Sequence, residues 1–173
     1  MQKYVVAVVN STRAKLFVLE PAEFPEYQPS PRLVEKETLH NSTQELQGQD
    51  LWSNTKPGRN RGTAGQAHGY DDHRENHRVE FERRFAQEIS AKLAQIVRQN
   101  QPHQLLLVAE PQILGIMRDV LTPEMLKNLK FNELAKDLCQ LKPHELYEYL
   151  ATKDLLPAQT RSSGRNMQPL ESS

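Results

Sequence analysis

The stretch 57-PGRNRGTAGQAHGYDDHRENH-77 concentrates the residue types best able to do chemistry. Five of the chain's seven glycines, Gly48, Gly58, Gly62, Gly65 and Gly69, fall between 48 and 69. Glycine reaches backbone conformations closed to other residues, so a loop built this way can pass close to a ligand. Arg59 and Arg61 stand among these glycines without acidic neighbours, which makes them candidate phosphate contacts. The segment also leads into a helix, and the free N–H groups and dipole at a helix start favour anions. A flexible surface linker would explain the same glycines, and composition leaves both readings open. No GxxxxGK[ST] loop or dinucleotide fingerprint occurs, so no nucleotide cofactor is expected.

The same stretch holds His68, His73 and His77, three of the six histidines. His73 and His77 are four apart and would share a helix face, with Asp72 beside them. Zinc takes three or four protein ligands, and neither HExxH nor a cysteine pair is present. The bland reading, solvent-facing histidines on the first helical turns, is preferred and no metal is expected. Arg74, Arg78, Arg83 and Arg84 are offset by Asp71, Asp72, Glu75, Glu80 and Glu82, which reads as a solvated face. Glu80–Arg84 is an attractive four-residue pair and Arg74–Arg78 a repulsive one. No GxSxG elbow or Ser-His-Asp order is present. Cys139, the single cysteine, lies in the patterned segment LAKDLCQL and reads as a buried structural thiol.

The elements that must position these residues follow from periodicity. YVVAVV (4–9) is an apolar run expected to form a strand covered on both faces. NSTR turns the chain, and AKLFVLE (14–20) follows as the second arm of a hairpin. Pro21, Pro25, Pro29 and Pro31 force a loop. RLVEKETLH (32–40) reads as a third, more exposed strand. A long polar loop is expected over 41–71, well beyond a usual connection. Val79, Phe85, Ile89, Leu93 and Ile96/Val97 then recur at helical steps, giving one long helix over 73–99 with Asp71 or Asp72 as N-cap. QLLLVAE (104–110) is a covered strand, PQILGIMRDVL a short helix, and a helical turn starts at Thr122-Pro123. KFNELAKDL contains the last strand, and PHELYEYLA is a helix opened by Pro143.

The expected fold class is therefore α/β, a single domain with a mixed, mainly covered sheet of about five strands and one long helix. The domain is assigned to residues 1–152, and 153–173 to a disordered tail lacking periodicity from Leu155 onwards. Composition bounds the rest. One core fits 173 residues of which 37% are hydrophobic, and the zero net charge excludes a globally basic nucleic-acid binder. The apolar start is too short for a signal peptide or a membrane span, so a cytoplasmic chain with no membrane partner is expected.

Five pieces in order carry a resemblance: the NSTRAKLF turn, Asp50 with Pro57-Gly58-Arg59, HRVEFERRFAQEISAKL, LLLVAEPQILGIMRDVL and LAKDLCQLKPHELYEYL. Together they span about residues 3–151 and resemble the bacterial host attachment protein family. That family is similar to the middle domain of archaeo-eukaryotic class I peptide-chain release factors. In that domain a Gly-Gly-Gln loop before the long helix promotes hydrolysis of the peptidyl-tRNA ester on the ribosome. The matching tripeptide is 64-AGQ-66, with Ala64 in place of the first glycine. The resemblance thus implies Gly65 and Gln66 as catalytic residues, Arg59 and Arg61 as RNA-phosphate contacts, and the ribosome or tRNA as partner. A glutamine amide can place a water and stabilise an oxyanion without titrating. No codon-reading domain flanks this one, so a stop-codon-dependent factor is not implied. The alternative is a non-enzymatic intracellular interaction protein that binds a protein partner and acts indirectly in host or surface attachment.

Overall fold

The computed structural model describes residues 2–41 and 64–160, without the side chains of 64–76. Five strands form one mixed sheet in the order β3-β2-β1-β4-β5. They are β1 (Tyr4–Val9), β2 (Arg13–Glu20), β3 (Arg32–His40), β4 (Gln104–Ala109) and β5 (Lys130–Ala135). Three helices connect or cover them: α1 (Ala64–Asn100), α2 (Pro111–Val120) and α3 (Pro143–Thr152). The α/β expectation holds, with a sheet of the expected size and one helix far longer than the others.

The sheet is mixed because its connections are. A four-residue turn can only return β2 antiparallel to β1, and Val5 duly faces Val18 while Val9 faces Ala14. β1, β4 and β5 run parallel, in register through Val9, Ala109 and Ala135, with helical crossovers between β1 and β4 and between β4 and β5. Both central strands are apolar at nearly every position because both their faces are covered. Val5, Ala7, Val9, Leu105, Leu107 and Ala109 pack beneath α1 and α2. Val6, Val8, Leu106 and Val108 meet Leu146, Tyr147 and Leu150 of α3 on the other face. β3 lies at an edge and is largely exposed, as its imperfect alternation predicts. Its ladder with β2 shifts register between Leu16 and Phe17.

Three sequence expectations need correction. The long helix starts at Ala64 rather than near 73, so neither Asp71 nor Asp72 caps it. The reason is that residues 64–72, AGQAHGYDD, hold no apolar spacing from which a helix could be read. Phe85, Ile89, Leu93 and Ile96 are buried as expected, but Val79 is 40% exposed and Glu82, read as solvated, is buried at 1%. Glu82 falls on the same stripe as Phe85 and Ile89, so helical geometry overrides residue type there. Finally, the tail does not begin at 153. Leu155 and Leu156 join the α3-side core, Tyr147 Oη donates to Pro157 O at 2.6 Å, and Thr160 forms a bridge with Ser30. Residues 161–173 lie outside the described residues.

Candidate functional site at the head of the long helix

Three parallel strands end level with one another, and a polar residue follows each. Asn10 comes after β1, Glu110 after β4, and Asp137 two residues beyond β5. Asn10 Oδ1 accepts from Thr12 N at 2.9 Å, Thr12 Oγ1 at 3.0 Å and Arg13 N at 2.8 Å. Its own Nδ2 donates to Asp137 at 3.2 and 3.3 Å, across 127 residues of chain. Glu110 Oε1 accepts from Ser11 N at 2.9 Å, and Asn41 Nδ2 donates to Ser11 O at 3.1 Å. This edge is a rigid platform, because the hairpin turn's polar groups are bound to β1, β4, β5 and the end of β3 together.

Beside the platform, α2 lies against α1. Glu110 is also the N-cap of α2. One turn on, the Gln112 amide, oriented with its oxygen inward, accepts from both Arg78 terminal nitrogens at 3.0 and 2.8 Å. Further along, Arg83 reaches Asp119 at 3.6 Å and Ser90 Oγ donates to Val120 O at 3.3 Å. So α1 runs alongside α2 from Arg78 onwards. Gly65 and Gln66 lie in its first turn, roughly 18–20 Å further along the axis from Arg78 at ~1.5 Å per residue. α1 has 37 residues, which makes it ~55 Å long, against ~20 Å for a six-residue strand. Among its described side chains, those of 77–100, the buried stripe runs from Glu82 to Ile96.

Gly65 and Gln66 are therefore in a helical turn rather than in a loop. The first N–H groups of a helix lack intrahelical acceptors, and no acidic residue sits in this first turn to neutralise them. Arg59 and Arg61 lie outside the described residues. His77 stacks at 5.9 Å on Phe81, tilted by 31°. Among the described residues no group of three His, Cys, Asp or Glu could hold a metal. The Glu80–Arg84 pair forms at 2.6 Å, on the exposed side.

Cys139 sits beneath the platform, and its thiol points at Val8 O (3.6 Å) and Arg13 O (3.8 Å). Burial, with Asp137 nearby, pushes the thiol up to about 12, so it stays protonated and unreactive at neutral pH. The sequence reading identified the turn and the thiol but missed Glu110 and Asp137. The available signal was a polar residue directly after, or just beyond, each apolar strand.

A family model described as "Protein required for attachment to host cells" matches residues 5–150, which is nearly the whole folded region. The chain belongs to the host attachment family. The matched range takes in β2 to β5, α1 and α2, and most of β1 and α3. A comparison with curated protein sequences finds no match. No helix among the described residues is long and apolar enough to cross a membrane.

Proposed function

We propose that this host attachment family domain binds RNA of the translation apparatus through the head of α1. In this reading, Gly65 and Gln66 approach the peptidyl-tRNA ester, and Arg59 and Arg61 hold phosphates. The observation that carries the proposal is the placement of Gly65 and Gln66 in the first turn of a 37-residue helix with no acidic residue in that turn. A helix start presenting backbone N–H groups without a competing carboxylate suits an anionic, narrow target. The release-factor-like reading of the sequence would make that target the ribosome or tRNA.

The chemistry would be ester hydrolysis. Water adds to the ester carbonyl, the oxyanion forms, and the tRNA ribose oxygen leaves with the water's proton. Gln66 offers an N–H to the oxyanion and an amide that orients the water, and neither group needs to ionise. Gly65 keeps the backbone bare for close approach. Attachment to host cells, the role in the family description, is then an indirect outcome of this activity.

Release of labelled peptide from stalled ribosome complexes tests this chemistry. The wild type should release peptide; Gln66→Ala should lose about a hundredfold, the scale of a removed oxyanion donor, and Gly65→Val should also lose release by blocking close approach. Equal release by all three proteins would remove these residues from the mechanism. The family description also favours a second reading, a non-enzymatic interaction domain that binds a protein partner in attachment. That reading predicts no peptide release and no ribosome association.

A further inference from the structure

On the face of the sheet opposite α1, a groove of about 320 Å³ runs between α3 and the segment leading into β3. That volume is at the lower end of small-ligand pockets, which span roughly 300–1,000 Å³. Leu33 and Tyr147 form its floor and are 5% and 1% exposed. Pro29 and Pro143 add apolar walls. Arg32 and His144 supply its charged or chargeable side chains, and no acidic residue lines it.

The local polar groups are already sorted. Gln159 Nε2 donates to Pro31 O at 2.8 Å, and Gln28 Oε1 accepts from Phe24 N at 3.1 Å. Tyr147 Oη is bound to Pro157 O. Glu20, which pairs with Arg32 in the strand ladder, gives its carboxylate to Lys36 at 2.9 Å. Among the described residues, neither the Arg32 nor the His144 side chain has an ion pair or hydrogen bond. Two unengaged nitrogen-bearing side chains thus overhang an apolar floor without a counter-charge.

We propose that this groove is a binding site for a small organic anion, with a carboxylate or phosphate held by Arg32 and His144 and a compact apolar body on Leu33 and Tyr147. Arginine's planar fork matches either oxyanion group, and an apolar floor selects against bare inorganic ions. The site is independent of α1, whose buried residues Phe85, Ile89 and Leu93 pack on the other face of the sheet.

The test is an amide-resolved NMR titration of the full chain with phenyl phosphate, benzoate and neutral benzyl alcohol. Saturable shifts confined to residues 28–33 and 143–147 are expected with one or both anions, and which anion binds more tightly assigns phosphate or carboxylate. Arg32 is exposed, so Arg32→Gln should keep the native spectrum while weakening anion binding about tenfold, the worth of a charge-assisted hydrogen bond. His144→Gln provides a second variant, expected to weaken binding without changing the fold. Absence of saturable shifts, equal affinity for benzyl alcohol, or undiminished binding by both variants would overturn the proposal.

Discussion

At the residue scale, burial decides what the side chains can do. Cys139 combines a thiol with a position under the platform where its ionised form would lose water and face Asp137. Its pKa is pushed up to about 12, and burial also raises the Tyr147 phenol to about 12. Both are groups whose folded value lies above the unfolded one, near 8.5 for a thiol and 10 for a phenol. Their stabilising contribution is complete below the unfolded values and is lost as pH climbs towards 12. The melting temperature should therefore fall from about pH 9 upwards, and Cys139→Ala should delay the onset of that fall. A disulfide reagent at pH 8 should modify Cys139 only as fast as the protein opens; immediate modification would contradict its burial. The buried thiol was legible because LAKDLCQL is patterned. The Asn10–Asp137 tie was not, since nothing local links residues 127 apart.

At the element scale, α1 shows where periodicity informs and where it fails. Across 82–96 the helix rests on β1, β2 and β4, and spacing identified Phe85, Ile89, Leu93 and Ile96. Residues 64–72, AGQAHGYDD, carry no apolar spacing, so periodicity puts the helix start about two turns late. Val79 and Glu82 trade places because residue type misleads at the end of a stripe: the apolar Val79 is exposed and the carboxylate of Glu82 lies on the stripe. Leu93→Ala should cost about 2–5 kcal/mol, as for other fully buried leucines. Val79→Ala, at an exposed position, should stay within about 0.5 kcal/mol. Urea midpoints of the two variants check this directly, and a Val79 loss as large as that of Leu93 would shift the helix face. The 153–160 segment is hard to read in sequence because its anchors are one adjacent leucine pair, a hydroxyl on α3 and the backbone of Ser30, none of them periodic.

At the scale of the whole molecule, the sheet holds two regions apart. The α1 side carries the proposed RNA contact, and the α3 side carries the anion groove. The layer scheme was readable from alternating apolar strands and helices, and the family match spans it. The site was less readable, because glycines and arginines before a helix suit a linker as well as a ligand. Co-sedimentation with ribosomes at about 50 and 200 mM salt, for wild type and the Arg59→Gln/Arg61→Gln double variant, tests the central claim most directly. Two phosphate contacts predict wild-type binding that weakens as salt rises, and a double variant that binds less with a salt slope shallower by about 1.4–1.8. No association of the wild type at either salt, or identical binding by the double variant, would contradict the account.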